Sequence, residues 1–418
     1  MKVLVVGGGG REHALAWSLQ RHGHRVWCAP GNGGTPGNVP IAADDVPGLV
    51  RLAREGAIDL VVVGPEVPLV AGLVDALAAV GVAAFGPSRA CAALEGSKVF
   101  AKSAMQRWGV ATADSVTVTN LADGLAALDR FAVAPVVKAS GLAAGKGVIV
   151  PDDRAGAEAA LRTMFVDRAF GDAADEVVLE ERLDGREVSV LAVCSGRDYR
   201  LLVPAQDHKR LLDGDAGPNT GGMGAFAPSD SLDAALLATV GETAIAPILN
   251  GMADGGTPYV GVLYVGLMLT AAGPRVLEYN CRFGDPEAQV ILPLLADDPA
   301  EVFLAAVHDR LDGVTLTWSP GAAVTVVMAA AGYPDQPRRG DLVTGLDAAE
   351  AAGCTVFHAG TTAADDGVRT AGGRVLAVTA VAGDLPSAVT TAYRGVSAIA
   401  FDGARYSTDI GRPTPEAS

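Results

Sequence analysis

The sequence predicts a multidomain protein of mixed α/β and α+β class, and three observations support this prediction. The chain has 418 residues, more than a single hydrophobic core usually serves. Half of its residues are apolar and only 5% are aromatic, a composition typical of folded α/β proteins rather than disordered chains. Short β-rich runs alternate with helix-length segments at the start of the chain, and this pattern changes after about residue 313.

The first hundred residues are expected to form a parallel sheet. Four short apolar runs are separated by segments of helix length, which is the pattern of βαβ units. The runs lie at residues 2–6, 25–28, 59–63 and 82–85. The carboxyl ends of parallel strands share one edge of the sheet, where such sheets bind ligands. We therefore expect the loops at residues 7–10, 29–34 and 64–66 to line one crevice.

Four consecutive glycines, residues 7–10, separate the first strand from the first helix. Glycines here let backbone amides approach an anion, and a helix N-terminus favours negative charge. A Rossmann site for NAD(P) is not supported, because Glu12 or His13 occupies the third glycine position and no acidic residue follows the strand that ends at Cys28. A phosphate or another polar group of a small substrate fits better, and a purely structural turn is the alternative.

A lysine and a glycine-rich loop follow in the central region. Lys138 ends a predicted strand, and a hairpin loop is expected at residues 140–147. The loop is not a P-loop, because only three residues separate Gly141 from Gly145 and neither Ser nor Thr follows Lys146. A strand lysine beside a flexible glycine flap suits a grip on polyphosphate. A surface hairpin with one solvated lysine is the alternative.

Glu278 and Asn280 are two residues apart on a predicted strand, so their side chains point to the same face. Their oxygens could hold one cation, and Mg²⁺ takes few protein oxygens alongside water and phosphate oxygens. Polar alternation on an exposed strand is the alternative. The residues that follow, Arg282, Asp285 and Glu287, add a guanidinium and two carboxylates, which suits charge developing on a transferred phosphoryl group.

Basic side chains and glycines are concentrated after residue 206. A basic triplet at residues 208–210 follows Asp207 and precedes a glycine-dense segment at residues 217–224. Side chains and amides in such a run can close on an anionic substrate, although His208 alone would be an ordinary surface histidine. The weak periodicity of residues 207–228 predicts a long loop, either ordered or disordered, and such loops are often functional.

Bulk properties narrow the partners and the compartment. The net charge is −16 without a block of Lys or Arg, so we expect neither a nucleic-acid partner nor a membrane surface. The five cysteines include no C-x-x-C pair, which is typical of reduced thiols. The sequence shows no signal-peptide pattern and no run of 18 apolar residues. We therefore expect a cytoplasmic protein.

Many short strings, in one order, resemble the phosphoribosylamine–glycine ligase family of the ATP-grasp superfamily, which acts in purine biosynthesis. The strings are GGGGREHALAW at 7–17, APGNGGT at 29–35, VGPEVPLV at 63–70, FGPS at 85–88, LEGSK at 94–98, VVKASGLAAGKGV at 136–148, VLEERLDGREVS at 178–189, QDHKR at 206–210, GPNTGGMGA at 217–225 and LEYNCRFGDPE at 277–287, with MAAAGYP, FHAG and GGRVL nearer the end. The resemblance covers almost the whole chain, and its specificity comes from the number and order of these strings.

This resemblance implies an architecture and a reaction. It implies an N-terminal parallel-sheet (pre-ATP-grasp) domain at residues 1–100, a two-subdomain ATP-grasp domain at 101–312 with a mobile lid at about 113–183, and a small C-terminal α+β domain at 313–418. The implied ligase joins glycine to 5-phosphoribosylamine through a glycyl phosphate and yields glycinamide ribonucleotide, ADP and phosphate. It uses ATP and Mg²⁺, with Mn²⁺ as an alternative. We expect a monomer whose partners are small molecules.

The resemblance also implies roles for individual residues. The residues matching the ATP contacts are Lys98, Lys138, Gly141, Gly145, Lys146, Gly147, Glu180, Glu181, Leu183 and Glu187. Glu278 and Asn280 match the metal ligands, and the catalytic set comprises Lys138, Arg282, Asp285 and Glu287. The substrate surround comprises Gly9, Gly10, Arg11, Glu12, Gly64, Pro65, Glu66, Asp207, His208, Lys209, Arg210, Asn219, Thr220, Gly221, Gly222 and Arg282.

Two departures from the family pattern and two alternative functions accompany this interpretation. Family members often carry Asn or Ser among the N-terminal glycines and Asp where Ser140 stands, but neither position supplies a metal ligand or a phosphate-gripping lysine. The first alternative is another ATP-grasp ligase with a different acid and amine. The second is a nucleotide sensor without turnover, and the combination of Lys138, the metal pair and Arg282 argues against it.

Overall fold

A parallel sheet opens the chain in the structure, a computed structural model that describes residues 1–143 and 146–412. The sheet has the order β2-β1-β3-β4, and its strands are β1 (Lys2–Gly7), β2 (Arg25–Pro30), β3 (Leu60–Val63) and β4 (Ala84–Phe85). The accompanying helices are α1 (Gly10–Arg21), α2 (Val46–Glu55), α3 (Glu66–Ala71), α4 (Leu73–Ala78), α5 (Arg89–Gly96) and α6 (Lys98–Arg107). The predicted N-terminal parallel sheet is confirmed.

The local sequence explains these elements. Strands β1 and β3 are central and covered on both faces, which is why their apolar runs are continuous rather than alternating. Helix α2 begins where the Asp45 side chain accepts a hydrogen bond from the Gly48 amide at 2.9 Å, and Ser97 caps α6 in the same way. The sharp turn from β1 into α1 needs a glycine, because Gly7 has φ +121° and any Cβ there would meet the Glu12 side chain.

A small subdomain follows at residues 115–180 and has an antiparallel sheet of its own in the order β5-β8-β6-β7. Its strands are β5 (Ser115–Val118), β6 (Val136–Ala139), β7 (Val148–Ile149) and β8 (Val177–Glu180), and its helices are α7 (Leu121–Ala127) and α8 (Arg154–Phe165). Val137, Leu161 and Leu179 belong to a separate apolar cluster within this subdomain. A separate core is what a lid requires in order to move as a unit.

The next region is built on a second antiparallel sheet, in the order β10-β9-β15-β16. The strands of this region are β9 (Arg186–Gly196), β10 (Asp198–Leu201), β11 (Gln206–Asp207), β12 (Arg210–Leu212), β13 (Ala216–Asn219), β14 (Gly224–Ala227), β15 (Tyr259–Thr270) and β16 (Gly273–Asn280). The helices are α9 (Ala234–Val240), α10 (Ala246–Asp254), α11 (Ala288–Leu294) and α12 (Pro299–Val307). The long predicted loop at residues 207–228 is therefore wrong, because four short strands occupy that stretch.

One continuous helix, Ala234–Asp254, runs from α9 through a π-helical turn into α10. Within the part of the chain that the structure describes, it is the one helix long and apolar enough to cross a membrane by length and composition alone. Buried core helices pass the same test, and Ile248 and Leu249 on α10 are fully buried in the largest apolar cluster. Its length and composition are therefore weak evidence for a membrane span.

The C-terminal region completes the fold. Its strands are β17 (Ala322–Ala329), β18 (Leu342–Val343), β19 (Thr355–His358), β20 (Thr361–Ala364), β21 (Gly367–Thr370) and β22 (Arg374–Ala382), and its helices are α13 (Leu346–Ala351) and α14 (Leu385–Ala398). Its main sheet has the order β11-β14-β17-β22-β19, so two of its five strands come from before residue 313. The residue boundaries predicted for the domains stay predictions, since this sheet takes strands from both sides of one of them.

The N-terminal and C-terminal regions also meet at an interface of neutral groups, which we call the histidine interface. The backbone N–H of His358 donates to His13 Nδ1 at 2.8 Å, and the two rings lie 5.6 Å apart. The Asn32 side chain donates to the His358 carbonyl at 2.8 Å and to the Gly8 carbonyl at 3.0 Å. A cavity of about 390 Å³ adjoins the two rings. This interface lies at the carboxyl edge of the first sheet, since Gly8 follows β1 and Asn32 follows β2.

Candidate active site

The lysine on β6 and the acidic strand β16 lie side by side. Lys138 Nζ donates to Glu180 Oε2 at 2.8 Å and to the Leu277 carbonyl at 3.3 Å. Leu277 directly precedes Glu278 in the chain. The small subdomain and β16 therefore line one cleft, which we call the central cleft.

Helix α6 brings two further lysines to the central cleft. Lys98 Nζ donates to the Ala139 carbonyl at 2.9 Å, and burial lowers the pKa of Lys98 although Glu278 opposes that effect. Lys102, one helical turn later, has its Nζ 3.3 Å from Glu180 Oε2 and is almost fully buried. Lys102 was predicted to lie on the same helix as Lys98 but was given no role, although its i, i+4 spacing from Lys98 was an available signal.

Glu278 and Asn280 occupy one face of β16, as the period of a strand requires. Asn280 Nδ2 donates to Glu278 Oε1 at 3.4 Å, and both side chains are partly exposed to the cleft. Burial alone would raise the pKa of Glu278, but Lys209, Lys138 and Lys98 together hold it below its ordinary value. Glu278 is therefore a carboxylate at neutral pH.

This pair fits a divalent cation that is completed by substrate oxygens. Across residues 1–143 and 146–412, no group of three or more His, Cys, Asp or Glu side chains is placed to form a closed metal site. Mg²⁺ commonly uses one or two protein oxygens and leaves its other positions to water and phosphate. The ionised Glu278 and the side-chain carbonyl oxygen of Asn280 satisfy that requirement. Each accepts a hydrogen bond at 3.4 Å, Glu278 Oε1 from Asn280 Nδ2 and Asn280 Oδ1 from Arg282 Nη2.

Arg282 lies between two carboxylates. Its Nη2 is 2.8 Å from Glu95 Oε1, and its Nε is 3.4 Å from Glu66 Oε2. Burial raises the pKa of Glu95; burial would also raise that of Glu66, but Arg282 and Arg11 together lower it. Glu95 also accepts the backbone N–H of Cys281 at 2.7 Å, and it was assigned no role from the sequence although the string LEGSK contains it. A single Glu at the end of a helix carries no signal that would have identified it.

The three N-terminal loops meet at the carboxyl edge of the first sheet, as the strand pattern predicted. A Cβ on Gly8 would contact the Gly31 carbonyl, and one on Gly64 would contact Glu12. Glu12 Oε2 accepts the Gly9 amide at 2.6 Å, and Glu12 Oε1 accepts from Arg11 Nε at 2.6 Å. A free anion would therefore compete with the Glu12 carboxylate for the amide of Gly9.

Glu287 is a second buried carboxylic acid of the site, and another acidic side chain, Asp207, lies near it. Its Oε1 lies 3.5 Å from Ser189 Oγ, which in turn lies 2.7 Å from Tyr264 Oη. Burial and the neighbouring Asp207 carboxylate raise the pKa of Glu287 to about 7. Burial likewise raises the pKa of Asp207, and the Lys209 ammonium opposes that effect. Proton exchange at Glu287 is therefore available near neutral pH.

Asp285 is held from two sides. Gln289 Nε2 donates to Asp285 Oδ1 at 2.6 Å, and Arg374 Nη2 lies 3.1 Å from Asp285 Oδ2. Burial would raise the pKa of Asp285, but Arg374 and Arg11 contribute to lowering it. The sequence analysis assigned no role to Arg374, although the string GGRVL contains it. A lone arginine 89 residues from Asp285 gives no sequence signal of this contact.

The residues of the segment from His208 to Asn219 make contacts of several kinds. Lys209 Nζ is 2.8 Å from Glu187 Oε2, and the His208 ring packs against Phe226 at 6.1 Å. Asn219 is exposed on the β12–β13 hairpin, where Arg210 Nη1 donates to the Gly217 carbonyl. Asn219 and Arg210 thus lie on a hairpin, and their assignment to the substrate surround stays a prediction.

Lys146 of the predicted flap and the connection after β8 each contact a later part of the chain. Lys146 Nζ donates to the Pro334 carbonyl of the C-terminal region at 3.1 Å, whereas Gly145 lies outside the described residues. Glu181 Oε2 is 3.3 Å from Arg275 Nη1, and Leu183 is partly buried beside it in the chain.

Family models of phosphoribosylglycinamide synthetase match the chain in three parts. The N domain matches residues 1–95, the ATP-grasp (A) domain residues 96–288 and the C domain residues 323–413. These matches cover most of the chain and follow the order of the three regions described above.

Similar proteins agree with these models. A phosphoribosylamine–glycine ligase from Ralstonia nicotianae is 49% identical over 98% of this chain and 99% of its own length. The trifunctional purine biosynthetic protein adenosine-3 of Gallus gallus is 50% identical over 98% of this chain, which matches 42% of that longer protein. The crystal structure of a phosphoribosylamine–glycine ligase from Thermotoga maritima has a TM-score of 0.85 at 34% identity, with 98% of this chain and 100% of that chain covered.

The biotin carboxylase domain of 2-oxoglutarate carboxylase from Hydrogenobacter thermophilus shares the fold alone, with a TM-score of 0.71 at 16% identity over 97% of this chain and 91% of that one. The predicted ATP-grasp architecture is confirmed by the family models and by these structures. The chain belongs to the phosphoribosylglycinamide synthetase family of ATP-grasp ligases.

Proposed function

We propose that the chain joins glycine to 5-phosphoribosylamine at the expense of ATP and so makes glycinamide ribonucleotide for purine biosynthesis. Membership of the family and the names of its relatives support this reaction. One structural observation carries it: Lys98, Lys138 and Lys209 lie close enough to Glu278 to keep it ionised where the small subdomain meets β16. Such a site is prepared for a polyphosphate and a cation.

ATP is proposed to bind in the central cleft. Lys98 and Lys138 would hold its phosphates, and the flap at residues 140–147 would cover them. The nucleoside would be held by Glu180, Glu181, Leu183 and Glu187. Glu180 is shared by Lys138 and Lys102. Lys138 can therefore turn toward a phosphate without leaving Glu180 as a buried, uncompensated charge.

Glu278 and Asn280 are proposed to hold Mg²⁺, with Mn²⁺ as an alternative. When bound, the cation would neutralise phosphate charge, which assists attack by an anionic carboxylate. The partly exposed position of both side chains supports this assignment, because it leaves room for water and phosphate oxygens.

The first proposed step activates glycine. A carboxylate oxygen of glycine attacks the γ-phosphorus of ATP, the bond from that phosphorus to ADP breaks, and ADP leaves with the electron pair. Arg282 is proposed to stabilise the charge on the transferred group. Burial would lower the pKa of Arg282, but Glu95 and Glu66 hold it well above its ordinary value, so the guanidinium stays charged.

The second proposed step forms the amide. The amine nitrogen attacks the carbonyl carbon of glycyl phosphate, the bond to the phosphate oxygen breaks, and the nitrogen loses a proton. Glu287 is proposed to accept that proton, since its pKa of about 7 suits transfer near neutral pH. The acyl phosphate is sensitive to water, so closure of the small subdomain would protect it.

The ribosylamine is proposed to lie between the N-terminal loops, Asp285 and the segment at residues 207–222. Glu12, Glu66 and Asp285 offer carboxylate oxygens that suit ribose hydroxyls. The glycine amides expected to bind a phosphate have a competitor in Glu12, which already accepts from Gly9. A cytosolic monomer without a nucleic-acid partner is part of this proposal, and the net charge of −16 supports the latter point.

ADP release tests this function. We expect steady release that requires both glycine and 5-phosphoribosylamine. Release with formate or bicarbonate in place of glycine would instead support the second candidate, a different ATP-grasp ligase. Nucleotide binding without turnover under all of these conditions would support the sensor and contradict the proposal.

A further inference from the structure

Arg374 begins strand β22 of the C-terminal region, yet its guanidinium reaches the proposed substrate surround. Its Nη1 donates to the Asp285 carbonyl at 2.6 Å, and its Nη2 donates to the Asp285 carboxylate at 3.1 Å. The same Nη1 also donates to the carbonyls of Gly221 and Gly222. One side chain therefore joins two segments, around residues 221 and 285, that are far apart in the sequence.

The turn at residues 221–222 has one further contact with the C-terminal region and one with the residue that follows Asp285. The Gly221 amide donates to Tyr333 Oη at 3.1 Å, and a Cβ on Gly222 would press against Pro286. Arg374 is mostly covered, with 22% of its side chain exposed against 16% for Asp285. Arg374 thus bonds both to Asp285 and to the backbone of this turn.

Arginine suits this position for a geometric reason. Its planar guanidinium carries five N–H donors in fixed directions, so it can serve a carboxylate and several backbone carbonyls at once. A lysine would bring one compact charge and would pair with Asp285 without matching this arrangement. Because Arg374 is occupied by protein acceptors, its effect on a substrate is transmitted through the groups that it holds.

We propose that Arg374 is a positioning residue that holds the Asp285 carboxylate and the turn at residues 221–222 in place around the amine substrate. This inference rests on the proposed function, since it assigns the ribosylamine to that surround. It gives the C-terminal region a role in affinity for the amine, while the phosphates of ATP are held by lysines from other elements. Loss of Arg374 should therefore affect the amine more than ATP.

A double-mutant cycle on Arg374→Ala and Asp285→Asn tests the proposal. Each single variant should raise the KM for 5-phosphoribosylamine by about ten- to a hundredfold, with the KM for ATP changed less than about threefold. The double variant should be no worse than the poorer single variant, because both changes remove the same arrangement. If Arg374 instead bound the substrate independently of Asp285, the two effects would multiply, and that result would overturn the proposal.

Further variants separate positioning from folding. Arg374→Lys should recover part of the KM effect, because it restores the ion pair without the carbonyl contacts. Arg369→Ala is the matched control. Arg369 lies in the same region but pairs with Asp366 instead of Asp285, so this variant should keep the wild-type KM values. Should Arg374→Ala melt at a much lower temperature than wild type, the comparison is made with Arg374→Gln and Arg374→Lys. Equal increases of the KM values for ATP, glycine and 5-phosphoribosylamine in these variants would contradict the proposal that Arg374 positions groups around the amine.

The outcome is distinguishable from failure of the proposed function. Wild-type enzyme that releases no ADP with glycine and 5-phosphoribosylamine refutes that function, and the assignment of Arg374 to the amine with it. Active wild-type enzyme combined with multiplicative effects in the cycle refutes the role of Arg374 alone.

Discussion

The central cleft and the histidine interface both join separate parts of the chain, but they do so with different chemistry. The cleft holds acidic and basic side chains in close contact, such as Lys138 with Glu180 at 2.8 Å and Arg282 with Glu95 at 2.8 Å. The histidine interface holds neutral groups, because burial lowers the pKa of His13 to about 3 and that of His358 to about 4. Both regions are largely buried.

The contrast between charged and neutral groups indicates a different role for each region. Buried charges cost free energy unless they are paired, so partners in the cleft can be exchanged for the charges of a ligand. A neutral, hydrogen-bonded interface has no charge that a ligand could replace, so it does not attract a phosphate group. We therefore expect changes in the cleft to act on turnover and changes at the histidine interface to act on stability.

The largest effect is expected from Glu278→Ala. Removal of this carboxylate should lower kcat by at least about 100-fold at ordinary Mg²⁺ concentrations, because phosphate charge would no longer be neutralised at that position. Circular dichroism should show an unchanged fold. The exposed Glu301→Ala on α12 is the control and should keep wild-type turnover. Near-normal kcat in Glu278→Ala would refute the metal assignment.

A somewhat smaller effect is expected from Glu287→Gln, on the order of 100-fold in kcat. In wild type, kcat should fall as the pH drops below about 7, because a protonated Glu287 cannot accept the proton of the amine. Asp207, Lys209 and Tyr264 face the same carboxylate and will shape this dependence. The variant should lose that acid limb, and an unchanged pH profile would exclude Glu287 as the acceptor.

The histidine interface should control acid stability. Both histidines have a pKa below the ordinary value of 6.5, so between about pH 6.5 and pH 4 the unfolded chain binds more protons than the folded one. Their stabilising contribution is complete above pH 6.5 and should be lost as the pH falls, by roughly 1.4 kcal/mol per histidine and pH unit.

Urea unfolding of His358→Asn should show a shallower dependence of the free energy of unfolding on pH than wild type does. His308→Asn changes an exposed histidine and serves as the control. Equal pH slopes in wild type and His358→Asn would show that this interface does not govern acid stability.

The smallest effect is expected from Lys146→Met on the flap. Its exposed ammonium donates to the Pro334 carbonyl at 3.1 Å, and exposed contacts of this kind are weak. The KM for ATP should rise about two- to fivefold with little change in kcat. Arg130→Met, an exposed cation of the same subdomain, should leave the KM unchanged. A large loss of kcat in Lys146→Met would give this lysine a catalytic role.

Local patterns predicted the parts of the molecule that are local in the structure. The strand of Glu278 and Asn280 could be predicted with its face, because the period of a strand is fixed by backbone geometry. The parallel sheet followed from four apolar runs in the same way. Strands β11 to β14 escaped prediction because residues 206–227 lack periodicity and one of them, β14, pairs with the distant strand β17.

The contacts between distant residues could not be derived from spacing. Glu95 meets Arg282 across 187 residues of sequence, counted from 95 to 282, and Arg374 meets Asp285 across 89. Glu95 and Arg374 stand in two of the strings that carry the resemblance, LEGSK and GGRVL, but nothing in those strings gives the partner of either side chain. Side chains of this kind are identified only once the chain has folded around them, whereas Lys102 could have been found from the helical repeat.

The shared C-terminal sheet means that the chain cannot be divided at about residue 313 into two independent pieces. Strand β14 pairs with β17 along Gly224 to Ala227, and Phe226 belongs to the apolar cluster of the C-terminal region. A fragment ending near residue 313 would expose that edge and that ring to water. Fusion to other enzymes at either end leaves this pairing intact, whereas a break in the middle would separate partners that fold together.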